Sequence, residues 1–154
     1  MLSMKAKYAI RAMMVLAANE GKMLQSKAIA KEADAPMKFL ESILLDLKND
    51  GLVESRRGIF GGYYLSRPAL SIGLGDIVRC IDGTVAPIRC ASLSEYQKCD
   101  DCMDENACTI RHAMIEVRNA ISRVLDSKSL SDMAKDHNKD KGKRNRKKGV
   151  TNAE

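Results

Sequence analysis

The sequence predicts a mainly α-helical fold with one small β-hairpin. Three observations support this prediction. Apolar residues recur at helical spacing in three successive segments before residue 50. Two short β-prone runs then flank a glycine-rich turn between residues 52 and 66. A repeat of apolar residues spaced by four and three positions follows in residues 106–126, as in a coiled coil. The predicted fold is a winged helix-turn-helix followed by a long C-terminal dimerisation helix.

The first predicted helix covers residues 5–20. Ile10, Met13 and Ala17 recur along it at helical spacing and give it one apolar face. Gly21 supplies the stop signal. This segment is therefore an amphipathic helix that packs against the rest of an N-terminal unit.

The second and third predicted helices are short and are joined by a tight turn. Ser26 is the expected N-cap of the second helix, and Pro36 suits the first position of the third. The third helix runs to about Asp50, and Gly51 stops it. Its inward residues are predicted to be Leu40, Ile43, Leu44 and Leu47. Two short helices around a tight turn are typical of a helix-turn-helix.

A β-hairpin is predicted directly after the third helix, from strands at residues 52–55 and 63–66. Its position identifies it as the wing of a winged helix. The tip carries Arg57 and three glycines, which let the backbone approach a phosphate or a groove closely while the arginine supplies a cation. The alternative is a small wing-shaped interaction domain that does not bind DNA.

After a further helix at residues 71–82, the last predicted helix covers residues 106–126. We call its a/d positions the apolar stripe: Ile110, Met114, Val117, Ile121 and Val124. Such a stripe needs a partner, which is either the first helix of the same chain or a second copy. We expect a homodimer, because helix-turn-helix units read half-sites in successive turns of the duplex.

Four of the five cysteines lie within nineteen residues, at Cys90, Cys99, Cys102 and Cys108. The residues around them are polar and acidic, which argues against small buried hydrophobes. These thiols are predicted to ligate a metal, with disulfides or reduced thiols as the alternative. The fifth, Cys80, lies in an apolar helical stretch and is predicted to pack.

The spacing favours an iron-sulfur cluster, of the 2Fe-2S or 4Fe-4S type, over zinc. Structural zinc sites usually carry two close cysteine pairs, and here Cys99 and Cys102 form the one close pair. An exposed cluster would also explain an exposed acidic loop, because its loss would free the loop and alter the neighbouring helices. Zinc remains the alternative cofactor.

The net charge of +6 resides almost wholly in residues 135–154, which hold eight Lys or Arg and three Asp or Glu. This segment has almost no apolar residue, so we expect a disordered basic tail. The longest apolar run near the start is too short to span a bilayer and has no signal-like cleavage pattern. We therefore expect a cytoplasmic protein without a membrane partner, in which thiols stay reduced.

Three motifs together resemble the Rrf2 family of bacterial winged-helix transcription regulators, over roughly residues 1–134. They are Lys5-Ala-Lys-Tyr-Ala-Ile-Arg-Ala-Met, Phe39-Leu-Glu-Ser-Ile-Leu-x-x-Leu-Lys-x-x-Gly-Leu-Val and Arg57-Gly-x-x-Gly-Gly-Tyr-x-Leu. The resemblance implies a homodimeric regulator that binds a double-stranded DNA operator. In the cluster-bearing branch it implies control of operator affinity by a cluster on three cysteines. Other members carry no cluster.

By this resemblance Cys90, Cys102 and Cys108 match the three ligands. The gap between Cys90 and Cys102 is longer than the family's usual one, and Cys99 is an additional thiol that could be a fourth ligand. Arg111 stands where a cluster-bearing relative has histidine, and His112 comes one position later. His112 is therefore a doubtful ligand.

The chain divides into a winged helix-turn-helix at residues 1–70, a cysteine loop (83–108) and dimerisation helix within residues 71–134, and the tail. Residue chemistry and the resemblance predict DNA contacts from the third helix and the wing. Tyr8 and Ser26 are further candidates for phosphate contacts. The predicted DNA-binding residues are Tyr8, Ser26, Lys38, Phe39, Glu41, Arg57, Gly58, Gly61, Gly62 and Tyr63.

These features predict a transcriptional regulator, most simply a repressor, that senses iron, redox state or nitric oxide through a cluster. One alternative is a zinc-stabilised or thiol-switch regulator without a cluster. An electron-transfer or cluster-carrier protein would leave residues 38–63 unexplained. Catalysis is not expected, because the two histidines, His112 and His137, belong to no recognisable catalytic constellation.

Overall fold

The computed structural model describes residues 2–149 of the chain, with side chains described up to residue 139. It confirms the predicted fold class, six helices with one two-stranded antiparallel sheet. Short 3-10 turns occur at Ala69–Ser71 and Arg89–Ala91. The elements in chain order are α1 (Met4–Ala18), α2 (Ser26–Ala33), α3 (Met37–Asn49), β1 (Val53–Arg56), β2 (Gly62–Leu65), α4 (Leu74–Asp82), α5 (Thr109–Asp126) and α6 (Leu130–Gly149).

Helix α1 is the centre of the fold and packs against α2, α3, α4 and α6. Ser3 caps it, because its Oγ accepts a hydrogen bond of 3.0 Å from the Ala6 N–H. The Ser3 N–H also donates to Asp82 at the end of α4. The start of α1 is therefore fixed to α4 as well as to its own first turn.

The core lies between α1 and α3 and extends to α4 and to the start of α6. Leu40, Ile43, Leu44 and Leu47 of α3 are fully buried, as their spacing predicts. Leu130 is also fully buried and joins the same cluster. Cys80 packs against the edge of this core, in agreement with its predicted packing role. Burial raises the pKa of the Cys80 thiol to about 11.

The wing is a hairpin whose register pairs Val53 with Leu65 and Arg56 with Gly62. Its second strand is also held on the outer side by Leu24, which precedes α2. Leu24 and Tyr63 exchange backbone hydrogen bonds of 3.0 and 2.8 Å. Glycine is needed beside this bridge, because a Cβ at Gly62 would lie 2.6 Å from the Leu24 carbonyl oxygen. Strand β2 is therefore attached both to β1 and to the segment that leads into α2.

Helix α5 differs from the other long helices because none of its eighteen residues is buried. It packs against α4 and the turn Arg89–Ala91. Much of its apolar stripe faces outward, with Ile110 69% and Val124 59% exposed. The stripe is thus left largely uncovered within the described chain.

Helix α6 corrects part of the sequence prediction. Residues 135–149 were expected to be disordered, whereas the structure continues the helix through Gly149. Buried Leu130 and Ala134 anchor its first turns. No proline interrupts the segment, and lysine and arginine have good helix propensity, so the local sequence is compatible with a helical backbone. Residues 150–154 of the predicted tail lie outside the described residues.

Several helix starts also differ from the sequence prediction. Helix α3 begins at Met37 with Pro36 as its N-cap, and α4 begins at Leu74. Gln25, and not Ser26, is the N-cap of α2, and it makes no side-chain capping bond. Ser26 is instead the first helical residue. Helix α5 begins at Thr109 and not at residue 106, because the Cys108 Sγ accepts a hydrogen bond from the Arg111 N–H and caps it there.

Within the described part of the chain, no helix combines the length and the apolar character needed to cross a bilayer.

Candidate DNA-binding surface and cysteine site

The exposed side of α3 presents Lys38, Phe39 and Glu41, three of the residues predicted to contact DNA. Phe39 is 50% exposed and stacks on Tyr8, with ring centroids 6.2 Å apart. The Arg11 guanidinium lies over the ring of Tyr8, 5.9 Å from its centroid. Tyr8 is half-buried, so its ring supports Phe39 in addition to its predicted phosphate contact.

The wing and the start of α2 enclose an open cleft of about 550 Å³, which we call the basic cleft. Six residues predicted to contact DNA line it, namely Ser26, Arg57, Gly58, Gly61, Gly62 and Tyr63. Ser26 lies at its α2 side, and Arg57 is exposed at the wing. The structure therefore brings together wing and helix residues that are more than thirty positions apart in the sequence.

Three further cations line the basic cleft that the sequence analysis did not single out: Lys27, Lys48 and Arg56. Lys48 donates a hydrogen bond of 2.8 Å to Ser55 Oγ and so joins the end of α3 to β1. Lys27 could have been found as the residue next to Ser26 in the first turn of α2. Lys48 and Arg56 carry no distinguishing local signal, because only the folded hairpin brings them to one cleft.

The cysteine loop brings Cys90 and Cys99 together. Cys90 is buried in the turn Arg89–Ala91, with only 4% of its surface exposed, while Cys99 is exposed. The Cys99 Sγ donates to the Cys90 Sγ across 3.7 Å. Two sulfurs bound to one tetrahedral metal at about 2.3 Å each lie roughly 3.8 Å apart, so this separation suits a shared metal ion.

The thiols influence one another electrostatically. The hydrogen bond to Cys90 raises the pKa of the Cys99 thiol, and the charges of Cys90, Asp101 and Cys102 raise it further. Burial raises the pKa of Cys102, and the charge of Cys108 adds to this shift. Such mutual repulsion between thiolates disfavours their ionisation unless a cation joins them.

The structure brings together only part of the predicted metal site. Among the described residues, no three His, Cys, Asp or Glu side chains are grouped closely enough to hold a metal ion. The donor chemistry nevertheless fits a soft metal, because all four predicted ligands are thiols and one pair has a suitable spacing. Cys102 and Cys108 remain predicted ligands that would have to approach Cys90 and Cys99.

Two arginines of α5 hold the turn that carries Cys90. Arg111 Nε donates a hydrogen bond of 2.9 Å to the Cys90 carbonyl oxygen. Arg118, two helical turns later, donates to the Ala91 carbonyl oxygen. Neither contact was predicted, because long-range bonds to loop carbonyls leave no sequence pattern. Arg111 therefore positions the backbone of Cys90. His112 is exposed on the same helix.

A chain of ion pairs connects the base of the wing to the end of α5. Arg67, just after β2, lies 3.0 Å from Asp76 in α4. Arg79, one turn further along α4, lies 3.4 Å from Asp76 and 2.7 Å from Asp126 in α5. These contacts place α4 between the wing and α5.

Comparison with known proteins agrees with this architecture. The family model described as "Rrf2: Iron-dependent Transcriptional regulator" matches residues 2–136. The chain belongs to the Rrf2 family. It is 42% identical over 137 residues to an rrf2-like HTH-type transcriptional regulator of Rhodobacter capsulatus, covering 86% of this chain and 91% of that protein. The relatives are regulators and not enzymes, so this Rrf2-family chain is a transcriptional regulator, and its family implies DNA binding.

Solved structures of Rrf2-family members superpose well on this one. CymR (YrzC), titled the global cysteine regulator of B. subtilis, matches with a TM-score of 0.70 at 33% identity, covering 88% of this chain and 96% of that one. T. potens IscR matches with a TM-score of 0.68 at 32% identity, covering 89% and 88%. These comparisons confirm two predictions of the sequence analysis, namely that the chain resembles the Rrf2 family and that it is not an enzyme.

Proposed function

We propose that this chain is a homodimeric repressor whose affinity for a DNA operator depends on an iron-sulfur cluster held by the cysteine loop. The cluster would be ligated by thiols among Cys90, Cys99, Cys102 and Cys108. Bound there, it would supply a centre that iron supply, oxidation or nitric oxide can remove or alter. The description of the family as iron-dependent supports this reading. Zinc is the alternative occupant.

The observation that carries the proposal is the connection between the cysteine loop and α5. Arg111 and Arg118 donate to the carbonyls of Cys90 and Ala91, so any movement of that turn changes two contacts along α5. The opposite end of α5 is paired to α4 through Asp126 and Arg79. A change at the thiols can therefore reach the wing through packed elements and ion pairs.

The apolar stripe supports the homodimer. Its residues are spaced like a coiled coil, yet α5 has no buried residue in the single chain. A second copy would present the same stripe and cover it across a two-fold axis. Two recognition helices would then be held at a fixed distance, as reading of paired half-sites requires. Analytical ultracentrifugation of wild type and Ile121→Asp tests this arrangement, and an unchanged association state would contradict it.

A thiol switch without a cluster is the second candidate, favoured by the proximity of Cys90 and Cys99. At 3.7 Å their sulfurs need to approach by only about 1.7 Å to form a bond of ordinary length. Each thiol would lose one proton and one electron to an oxidant such as an organic hydroperoxide, which would be reduced to one alcohol and one water. One of the structural relatives, 31% identical with a TM-score of 0.64, is titled the oxidized form of Staphylococcus aureus CymR.

Anaerobic purification followed by iron, sulfide and zinc determination separates these candidates. We expect iron and sulfide in wild-type protein and their loss in Cys90→Ser. Cys80→Ser is the matched control, because Cys80 packs against the core away from the loop. Operator binding is then compared before and after removal of the metal. Metal-free wild-type protein whose binding responds to oxidation would favour the thiol switch, and equal binding by all forms would remove the sensing role.

The wing is tested separately with Arg57→Ala. Arg57 lines the basic cleft and is exposed, so its loss removes a DNA contact without disturbing the core. We expect operator binding to weaken by about 1 to 3 kcal/mol in gel-shift titrations at fixed salt. Lys128→Ala removes the same charge from the connection between α5 and α6 and serves as the control. Equal affinities of wild type and Arg57→Ala would exclude the wing from operator binding.

A further inference from the structure

The apex of the wing carries two large apolar residues that are almost fully exposed to solvent. Ile59 is 87% exposed and Phe60 is 89% exposed. They are the two central residues of a turn that the Gly61 N–H closes by donating to the Gly58 carbonyl oxygen at 3.0 Å. Neither residue has a positive φ, so the turn does not require Gly, Asn or Asp there and its backbone does not dictate these two residue types. A bulky aliphatic and a phenyl ring at this apex therefore call for a partner that covers them.

The apex is held firmly in place. Gly61 packs so closely against the first strand that a Cβ there would lie 2.2 Å from the Arg56 carbonyl oxygen. Arg56 in turn pairs with Gly62 in the sheet register. The turn thus presents Ile59 and Phe60 on a short, braced support, and little conformational freedom would be lost when they enter another surface.

The surroundings of the apex select a polyanion as that partner. Arg56 and Arg57 come directly before the turn, and Lys27 and Lys48 line the basic cleft behind it. No acidic residue is among the described residues that line this cleft. Cations flanking an apolar point are the combination by which minor-groove proteins hold the phosphates and insert a wedge between base steps.

We propose that Ile59 and Phe60 form an apolar wedge that enters the minor groove beside each half-site and bends the duplex. The inference rests on the proposed operator binding and extends it from contact to deformation. Phe60 would lie against a partly unstacked base step while Arg57 contacts the adjacent phosphates. Sequence preference would then include easily unstacked pyrimidine–purine steps at positions that α3 does not touch.

The test uses the full-length protein and a duplex selected by that protein from random sequence. Bending is measured by energy transfer between dyes at the two ends of the duplex, and unstacking by 2-aminopurine fluorescence at the central step of the wing contact. The variants are Phe60→Ser and the double variant Ile59→Ser with Phe60→Ser. Leu70→Ser, also an exposed apolar residue at 72%, is the matched control.

We expect wild type and Leu70→Ser to shorten the distance between the dyes and to raise the 2-aminopurine signal. The double variant should lose both effects and bind roughly tenfold or more weakly, because burial of two large apolar side chains is lost. The dependence of binding on salt should be unchanged, since no cation has been removed. This last result distinguishes the wedge from a general loss of wing contacts.

Equal bending and equal affinity in wild type and the double variant would overturn the wedge while leaving operator binding intact. A wild type that selects no duplex would contradict the proposed function itself, and the wedge with it. Loss of binding to vesicles of anionic phospholipid in the double variant, with unchanged DNA binding, would assign the apex to a membrane surface and would also overturn the proposal.

Discussion

The winged helix-turn-helix and the segment made of the cysteine loop and α5 are stabilised in different ways. The first buries apolar residues from α1, α2, α3 and β1 in one continuous core. The second contributes Cys90, Ala91 and Ser92 as its buried residues from the loop, and α5 contributes none. Its described contacts are mostly hydrogen bonds and ion pairs.

This difference shows which part of the molecule is held by buried apolar contacts and which is not. Burial of apolar surface stabilises the winged unit together with α4 and the first turns of α6, whereas polar contacts at partly exposed positions contribute little net free energy. The cysteine loop and α5 therefore depend on what is added to them, which in our proposal is a cluster and a second copy. A regulator needs its sensing half to respond in this way while its reading half stays intact.

The largest expected contrast is in stability. Leu44→Ala in α3 should lower the free energy of unfolding by about 2 to 5 kcal/mol, because Leu44 is fully buried and its loss leaves a cavity. Val117→Ala in α5 should lower it by less than about 1 kcal/mol at protein concentrations low enough to keep the chain monomeric, because Val117 is exposed in the single chain. Urea denaturation measures both. Similar losses for the two variants would contradict the comparison.

A smaller effect is expected in the pH dependence of metal retention. The pKa values of Cys99 and Cys102 are raised, so both thiols hold their protons at neutral pH and release them when a metal binds. Affinity should therefore fall with decreasing pH, by about tenfold per pH unit for each proton displaced. Competition with a chelator at about pH 8 and about pH 6.5 measures the slope. A pH-independent affinity in wild type would show that these thiols are not ligands.

The smallest effect is expected at the junction of the two halves. Arg79→Ala removes the ion pair to Asp126 that joins α4 to α5, together with the pair to Asp76 within α4. These side chains are partly exposed, so we expect a loss of only about 0.2 to 1 kcal/mol in unfolding free energy, less at high salt. The change in operator affinity on metal removal should be clearly smaller in this variant than in wild type, although its free energy of unfolding is little changed. An unchanged response would place the coupling elsewhere, for example on direct contacts of α5.

The parts of the fold that local patterns encode were predictable. The spacing of Leu40, Ile43, Leu44 and Leu47 predicts α3 and its buried face, and both are observed. The glycines around Arg57 predict the wing. Ser26 shows the limit of such reasoning: it is a good N-cap by type, but the helix begins one residue earlier and the predicted cap lies inside it.

The candidate sites were predictable in composition and less so in arrangement. Four clustered cysteines indicate a thiol site, yet the close approach of Cys99 to Cys90 depends on a loop without periodicity. The clamps from Arg111 and Arg118 to loop carbonyls span more than twenty positions and involve no side-chain pattern. The basic tail was misjudged from residue 135 to Gly149 because low hydrophobicity was taken to exclude a helix. The ligand set and the DNA contacts stay predictions.

The attachment of the wing to Leu24 has a consequence for the operator. Leu24 is followed at once by Gln25 and α2, and Lys48 of the recognition helix α3 donates to Ser55 of β1, so the wing is joined to both helices of the helix-turn-helix. In the proposed complex, the protein then fixes the distance along the duplex between the bases that α3 contacts in the major groove and the minor-groove contact of the wing. Inserting one base pair between them shifts the two contacts by about 3.4 Å, and the hairpin cannot slide to follow.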